Sequence, residues 1–126
     1  MSGATAVVTE QAPAPAGPYS QAVVAGGFAF LAGQTPKLVD GIRILDRPFD
    51  EQVRQTLDNL SAVAVAAGGT LADAVKVSVF LRPGCNVADF NTIYETYVSH
   101  PLPARITTIS DLATGDVEID AVLWLG

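Results

Sequence analysis

The stretch that decides the fold is GDVEIDAVLWLG, residues 115–126, because its side chains alternate between two chemically different faces. From 117 to 125 the odd-numbered residues are all apolar. Side chains of a β-strand point alternately to opposite faces of its sheet, so this pattern predicts a strand with one buried face. The other face is mixed and consists of Glu118, Asp120, Val122 and Trp124.

The segment ADAVKVSVFLRP, residues 72–83, repeats this alternation and is predicted to be a second strand of the same kind. One predicted face has Val75, Val77, Val79 and Leu81, and the other has Lys76, Ser78 and Phe80. A sheet face that combines polar and bulky apolar side chains does not simply face water. We therefore expect the mixed face of the sheet to be half-buried against another subunit.

Two helices are predicted from apolar residues that recur at intervals of three and four. The first begins at Phe49 and ends before the glycines at 68 and 69, because glycine readily adopts the left-handed conformation that ends a helix. Its apolar stripe comprises Phe49, Val53, Leu57, Leu60, Ala64 and Ala67. The second helix covers residues 86–98 and has Asn86 as its predicted N-cap. Its stripe comprises Phe90, Ile93, Tyr94, Tyr97 and Val98.

Shorter segments complete the predicted order of elements. Residues 4–9 and 104–110 have the composition of strands, and a hairpin is predicted with its turn at residues 26–27. Residues 35–48 are predicted to be a loop with a turn at its Asp-Gly pair. The order is therefore β-β-β-α-β-α-β-β, which predicts an α+β fold with two helices on one face of a sheet.

Composition limits the classes of function. The chain has 126 residues, which suits one domain, residues 1–126, with a single sizeable core. Its formal net charge of −6 disfavours nucleic acid as the main partner, because phosphate binding needs a concentrated basic surface. No apolar run reaches the roughly 18 residues of a membrane span. The N-terminus lacks the pattern of a signal peptide, and one cysteine excludes an internal disulfide. These features predict a cytoplasmic protein.

Arg105 opens a predicted strand within PLPARITTIS, residues 101–110, although the chain has only seven basic residues. A planar guanidinium binds a carboxylate through two parallel hydrogen bonds, so Arg105 is a candidate anchor for an acidic substrate. A partly buried Glu118 is suited to hold a water molecule and to return a proton to a departing amine. The alternative is a structural salt bridge between Arg105 and Glu118, which spacing alone slightly favours. We expect both side chains on the mixed face or at its rim.

Other common chemistries lack the residues they need. His100 is the single histidine and Cys85 the single cysteine, so one chain has no histidine–cysteine zinc site. His100 is interpreted as a surface-loop residue, and Cys85 as a turn residue without the surroundings of a nucleophile. The paired glycines fit a turn and a helix end, so they do not indicate a phosphate loop. Arginine, carboxylate, tyrosine, amide and backbone groups remain, and neither a metal nor an organic cofactor is expected.

The chain resembles the RidA (YjgF-like) family of small trimeric enamine/imine deaminases. The resemblance covers nearly all of residues 13–122 in the family's order, through APAGPYSQA, AGQTP, QVRQTLDNLSAVAVAAGGTLADAVKVSVFL, DFNTIYETY, PARITT and VEIDAV. It implies a chorismate-mutase-like mixed β-sheet with two helices packed on one face. It also implies a homotrimer in which three sheets close into a barrel and the active sites lie between subunits.

The resemblance also implies roles for individual residues. Arg105 corresponds to the arginine that holds the substrate carboxylate, and Glu118 to the glutamate associated with the attacking water. Five further positions correspond to the substrate-binding site: Tyr19, Ala32, Gly33, Asn91 and Thr107. Without the family, Tyr19 is interpreted as a core aromatic after a Gly-Pro turn, and Asn91 as an ordinary polar helix residue.

Two of these positions depart from the common pattern of the family. Ala32 stands where many members have serine, and it removes a hydroxyl group from the expected pocket. This change bears on which substrate is accepted, or on the rate. Thr107 stands where some members have cysteine, and its backbone carbonyl is still able to orient a water molecule.

The resemblance implies hydrolysis of reactive 2-imino or enamine acids, formed by pyridoxal-phosphate enzymes, to 2-oxo acids and ammonia. Arg105 would hold the carboxylate, Tyr19 would close the pocket and Glu118 would position water. The alternatives are a non-catalytic small-carboxylate-binding or chaperone-like protein, a pathway-specific enamine deaminase, and an RNA-cleaving enzyme, which the acidic charge disfavours. The predicted partners are the small substrate and further copies of this chain, without nucleic acid or membrane.

Overall fold

The structure, a computed structural model, describes residues 3–126 and has the element order expected from the sequence. Two α-helices and six strands form within these residues, and a short 3₁₀ turn precedes the fourth strand. The strands are β1 Thr5–Val7, β2 Ala22–Ala25, β3 Phe28–Gln34, β4 Ala74–Leu81, β5 Ala104–Ile109 and β6 Val117–Trp124. The helices are α1 Phe49–Ala66 and α2 Val87–Tyr94.

The strands form one mixed sheet in the order β1-β2-β3-β6-β4-β5. Strands β4 and β5 run parallel, and the other neighbouring pairs are antiparallel. Strand β6 lies between β3 and β4, so its apolar face is covered along its length, and this central place explains the clear alternation of residues 115–126. The predicted α+β architecture with two helices and a mixed sheet is confirmed.

One face of the sheet packs under the helices and forms the core. Helix α1 lies against β3 and β6, and α2 packs against α1. Val117, Ile119 and Leu123 of β6 are fully buried there. The apolar stripe of α1 joins the same core, as predicted. The helix ends at Ala66, shortly before Gly68, whose φ of +101° is the left-handed conformation that glycine tolerates.

Val75 does not lie on the buried face, so this part of the prediction is wrong. Ala74 pairs with Leu123 of β6. Lys76 lies two positions later in β4 but pairs with the residue only one position before Leu123, so β4 has one extra residue at this point. A β-bulge of this kind moves the residues before it to the opposite face of the sheet. Ala74 is therefore buried and Val75 is 42% exposed. The rest of the predicted face is buried as expected: Val77, Val79 and Leu81.

Helix α2 is shorter than the sequence pattern predicts. Its N-cap is Asn86, as expected, and the side chain of Asn86 accepts a hydrogen bond from the Asp89 N–H at 3.1 Å. Tyr97 lies beyond the helix end, but its hydroxyl donates to Asp58 Oδ1 on α1 at 2.8 Å. This bond joins the turn after α2 to α1. No helix of the described chain is both long and apolar enough to cross a membrane.

The second face of the sheet is largely exposed within the described chain. Phe30 and Trp124 are about half exposed on this face, at 49% and 57%, and Ile106 of β5 is exposed on it at 53%. Phe28 lies beside Phe30, with ring centroids 6.4 Å apart. We call this surface the open face. Exposed aromatic groups of this size are unusual on a monomer, which agrees with the expectation that a further subunit covers them.

Candidate active site

The Glu118 side chain lies over the backbone of Gly33. The two residues belong to neighbouring strands, β6 and β3, whose pairing register shifts between Leu31 and Gln34. A Cβ atom on Gly33 would come within 3.3 Å of Glu118 Cγ and 3.2 Å of Cδ, and it would collide with Oε2. Gly33 therefore leaves the space that the carboxylate occupies.

The Glu118 carboxyl group is partly withdrawn from water. Burial raises its pKa above the usual range, and the negative charge of Asp120 raises it further. The positive charge of Arg43 acts in the opposite direction and lowers the pKa. No donor within residues 3–126 hydrogen-bonds to this carboxylate, so its oxygens are open to water or to a substrate. A carboxylate with a raised pKa is a stronger proton acceptor than an ordinary one.

A cavity of about 250 Å³ opens beside Glu118. Its walls include Tyr19, Gly33, Lys37, Arg43 and Thr114. We call it the carboxylate pocket. Pockets for drug-sized ligands measure roughly 300–1,000 Å³, so the carboxylate pocket suits a smaller molecule.

Tyr19 stands at the rim of the carboxylate pocket and is 51% exposed. Its interpretation as a core aromatic is therefore wrong. The Tyr19 hydroxyl accepts a hydrogen bond from the Ala16 N–H at 3.1 Å, which keeps the ring beside the connector before β2. Buried Gln21 holds the same connector, because its Nε2 donates to the carbonyls of Thr9 and Pro13, both at 3.0 Å.

Arg105 lies elsewhere, on the face of the sheet that the helices cover. It pairs in register with Val77, whose side chain is buried beneath the helices. Its guanidinium carbon stands 4.9 Å from the ring centroid of Tyr94 and 5.6 Å from that of Phe90. One guanidinium nitrogen donates to Asn91 Oδ1 at 2.8 Å. Aromatic faces hold a planar guanidinium well, so α2 fixes the direction of this side chain.

The expectation that Arg105 and Glu118 share the mixed face of the sheet is wrong. Glu118 pairs with Phe80 of β4, on the open face, whereas Arg105 pairs with Val77 on the helix side. Paired residues on neighbouring strands project to the same side of a sheet. Positions 77 and 80 of β4 are three residues apart, so their side chains point to opposite faces, and so do those of their partners Arg105 and Glu118. The sequence does not reveal this separation, because the pairing of β5 with β4 depends on residues far apart in the chain.

The proposed structural salt bridge between Arg105 and Glu118 is also absent from the described chain. The ion pairs of residues 3–126 are Arg47–Glu51 and Arg82–Asp116. Arg105 contacts aromatic rings and an amide instead, and these neutral partners leave its positive charge available to an anion.

The remaining predicted residues fall into the same two groups. Thr107 follows Arg105 by two positions on β5, so both side chains project from the same face of the sheet, and Arg105 contacts Asn91 there. We call Arg105, Asn91 and Thr107 the arginine edge. Ala32 precedes Gly33 on β3, and its N–H donates to the Gln21 carbonyl at 2.9 Å. The carboxylate pocket thus contains Tyr19, Gly33 and Glu118, with Ala32 beside it in sequence.

Sequence reasoning missed two basic residues of the carboxylate pocket. Lys37 and Arg43 form an isolated antiparallel bridge on either side of the Asp-Gly turn at 40–41. The available signal was the turn itself, because residues that flank a tight turn at similar distances face each other. Arg43 is held further by a hydrogen bond from its Nη1 to Thr35 Oγ1 at 3.1 Å.

The described residues offer no cluster of metal ligands. No three side chains of His, Cys, Asp or Glu gather closely enough within residues 3–126 to hold an ion. His100 is exposed, as interpreted from the sequence. Burial raises the pKa of the Cys85 thiol, which favours the unreactive thiol form over the thiolate. The lining of the carboxylate pocket instead combines a carboxylate, a tyrosine and two cations.

Comparisons with known proteins agree on one family. The family described as endoribonuclease L-PSP matches residues 9–124. A RutC family protein of Pyrococcus horikoshii is 39% identical over 120 residues, which cover 94% of this chain and 95% of that protein. A protein of Dermatophagoides farinae named 2-iminobutanoate/2-iminopropanoate deaminase is 33% identical over 125 residues and covers 98% of each chain. The crystal structure of RidA from an Antarctic Psychrobacter bacterium superposes with a TM-score of 0.86 at 34% identity, covering 95% of this chain and 98% of that one.

Proposed function

Because the chain belongs to the endoribonuclease L-PSP family, the family of the RidA and YjgF proteins, we propose that it hydrolyses 2-imino acids and their enamine tautomers to 2-oxo acids and ammonia. The observation that supports this reaction most directly is the unpartnered Glu118 carboxylate over Gly33 in a small pocket. A relative with 33% identity has the name of such a deaminase. The proposal includes a cytoplasmic location.

The proposed active site forms between two subunits. The carboxylate pocket of one subunit faces the arginine edge of its neighbour, so that Glu118 and Arg105 reach the same substrate. A contact between two different surfaces of one chain is heterologous, and it closes into a ring when the rotation allows. The resemblance to the RidA family implies a ring of three. Such a ring would also cover the open face with its exposed Phe30 and Trp124.

The proposed reaction begins with the substrate carboxylate bound to Arg105 through two parallel hydrogen bonds. A water molecule held by Glu118 of the neighbouring subunit then adds to C2 of the protonated imine, and its released proton passes to Glu118. The carbinolamine formed has a hydroxyl and an amino group on C2. Glu118 returns the proton to nitrogen, and ammonia leaves with the electrons of the C–N bond. The hydroxyl proton is released as the C2 carbonyl forms.

No cofactor is required in this scheme, because a protonated imine is already an electrophile. Each step needs only a proton acceptor and donor at the attacked carbon, and one carboxylate serves for both. RNA cleavage, which the name of the family mentions, has weaker support in this chain. The net charge is −6, and the single histidine is exposed outside the carboxylate pocket.

The proposal is tested by forming an imine with an amino-acid oxidase and following the appearance of the 2-oxo acid. Wild type should accelerate hydrolysis, and Glu118→Gln should lose roughly 10²- to 10⁴-fold in turnover, the usual contribution of a general acid/base. Binding of a 2-oxo acid and the melting temperature should persist in this variant. Glu51→Gln is the matched control, because it makes the same change at an exposed carboxylate of α1, outside the lining of the carboxylate pocket.

Two outcomes would contradict the proposal. A wild-type protein that binds 2-oxo acids without accelerating imine hydrolysis would be a binding protein. A Glu118→Gln variant whose turnover falls only as its folded fraction falls would show that Glu118 has a structural role, and another group would then handle the water.

A further inference from the structure

The carboxylate pocket contains two cationic side chains that the proposed reaction does not use. Lys37 and Arg43 are two of only seven basic residues in a chain of net charge −6, yet both line the cavity that contains Glu118. The reaction needs one carboxylate anchor, and Arg105 fills that role. The two additional positive charges therefore call for a separate explanation.

The segment that presents these cations is firmly held. The Leu38 N–H donates to the Ile42 carbonyl at 2.8 Å, so the chain doubles back as a short hairpin. Asn59 of α1, which is buried, donates from Nδ2 to the Lys37 carbonyl at 2.7 Å and to that of Thr35 at 3.3 Å. Bridge partners of an antiparallel pair project to the same side, so the hairpin directs Lys37 and Arg43 together.

Neither cation is neutralised within the described chain. The ion pairs of residues 3–126 do not include Lys37 or Arg43. Arg43 donates to the neutral Thr35 hydroxyl at 3.1 Å through Nη1, which leaves the other N–H groups of its fork free for a planar acceptor. Glu118 is close enough for the charge of Arg43 to lower its pKa, but the two side chains form no ion pair. An anionic group of a ligand would complete this arrangement.

We propose that Lys37 and Arg43 form a subsite for a second carboxylate, and that the preferred substrates are imines of acidic amino acids. This inference rests on the proposed function and names its substrate class. Arg105 of the neighbouring subunit binds the carboxylate on C2, and Lys37 and Arg43 bind the carboxylate of the substrate side chain. C2 then lies between the two anchors, beside Glu118.

The balance of charge favours such a substrate. The assembled site has three cations, Lys37, Arg43 and Arg105, against the single anion Glu118. The protonated imine adds a fourth cation, so a substrate with two carboxylates gives four cations against three anions. A substrate with one carboxylate gives four against two and leaves the pocket cations unpaired. Unpaired charges in a partly dehydrated site are unfavourable, so the dicarboxylate should bind more tightly. The reaction itself is unchanged: the imine of aspartate and water give the four-carbon 2-oxo diacid and ammonia.

The test compares the imines of aspartate and alanine, each formed by a suitable oxidase. Wild type should have the higher kcat/KM with the imine of aspartate. In Arg43→Gln and Lys37→Gln the ratio of the two kcat/KM values should fall roughly 10- to 100-fold, the range expected for hydrogen bonds to charged groups. Arg47→Gln is the matched control, because Arg47 pairs with Glu51 and does not line the carboxylate pocket, so the ratio should stay as in wild type.

The outcomes separate this inference from the proposed function. Hydrolysis of the alanine imine without preference for the aspartate imine, or a ratio unchanged in both variants, would overturn the subsite and leave the deaminase intact. If the protein accelerates the hydrolysis of neither imine over the uncatalysed reaction, the proposed function fails. In that case calorimetry compares the binding of 2-oxoglutarate and 2-oxobutyrate, which tests the subsite independently of catalysis. Tighter binding of 2-oxoglutarate that is lost in Arg43→Gln supports it, and equal binding overturns it.

Discussion

Arg105 and Glu118 lie on opposite faces of one β-sheet, with strand β4 between the strands that bear them. Arg105 is in register with buried Val77 under the helices, and Glu118 with Phe80 on the open face. Neighbouring strands are about 4.8 Å apart, so the two backbones are separated by about 10 Å in addition to the thickness of the sheet. An acid of three or four carbons does not span this gap. A site that uses both residues must therefore draw them from two subunits.

The first prediction concerns assembly. We expect a homotrimer at micromolar concentration, and Trp124→Asp should break it by placing a charge on the open face where a neighbouring subunit would cover it. Light scattering measures both masses. The matched control is Val65→Asp, which changes an equally exposed apolar residue on the outer side of α1 and should leave the trimer intact. A monomeric mass for wild type would contradict both the trimer and the shared site.

The second prediction tests the guanidinium of Arg105. Arg105→Lys keeps the charge but loses the planar stacking on Tyr94 and the two parallel hydrogen bonds to a carboxylate. We expect kcat/KM to fall roughly 10- to 100-fold, because charge-assisted hydrogen bonds of this kind are the strong ones, and Arg105→Ala should be worse. The melting temperature should change little in Arg105→Lys. Wild-type kcat/KM in this variant would mean that the carboxylate is anchored elsewhere.

The order of elements could be predicted because its signals are local. Alternation along β6 and the spacing of three and four residues in α1 appear within short windows, and local patterns of this kind predict strands and helices well. The bulge at Val75 could not be predicted from the sequence, because an extra residue in one strand is defined only by the pairing with its partner strand. The side of the sheet on which Arg105 lies could not be predicted for the same reason, because it too depends on strand pairing.

The candidate site was predicted only in part, for a related reason. Arg105 and Glu118 were found as unusual residues within strands, but their separation depends on the register of β4 with both β5 and β6. Lys37 and Arg43 were passed over as loop residues. Their common direction comes from the hairpin and from Asn59, which lies more than 15 positions further along the chain than Arg43.

The third prediction concerns the space that Gly33 leaves for the carboxylate. Gly33→Ala should displace the Glu118 side chain, because the new methyl group would overlap Oε2. The atom that must move is the end of a flexible side chain, so we expect a small change in melting temperature but a loss of roughly 10²-fold in turnover, at the lower end of a general acid/base contribution. Gly3→Ala is the control, because the same change there meets no other atom within 4 Å. An unchanged turnover in Gly33→Ala would show that the position of Glu118 over Gly33 is not needed.

The fourth prediction uses the raised pKa of Glu118, which results first from burial and second from Asp120. The fold favours the protonated form, so its contribution to the free energy of unfolding is complete below the ordinary value of 4.5 and is lost as pH rises through the raised pKa. Turnover should change in the opposite direction, because the ionised carboxylate is the base. As pH rises from 4.5 through the raised pKa of Glu118, wild type should lose stability relative to Glu118→Gln while its kcat/KM rises. Denaturant unfolding and rate profiles of both proteins measure this, and parallel stability curves would count against it.

The last prediction asks directly whether each active site takes Arg105 and Glu118 from different subunits. Arg105→Ala and Glu118→Gln are each expected to be nearly inactive. If they are mixed in equal amounts, unfolded and refolded together, a shared site becomes intact when Arg105 comes from one variant and Glu118 from the other. Random assembly in a ring gives this pairing in about one quarter of the sites, so about one quarter of wild-type activity should return.

A second mixture makes the result decisive. Wild type refolded with the double variant Arg105→Ala/Glu118→Gln should also give about one quarter of intact sites if each site spans two subunits, but about one half if each site lies within one chain. A site within one chain further predicts no recovery at all in the mixture of single variants. Equal recovery in the two mixtures therefore supports the shared site. Recovery in the second mixture alone would mean that Arg105 and Glu118 of the same chain form the active site. Arg105 would then have to give up its contacts with Tyr94 and Asn91.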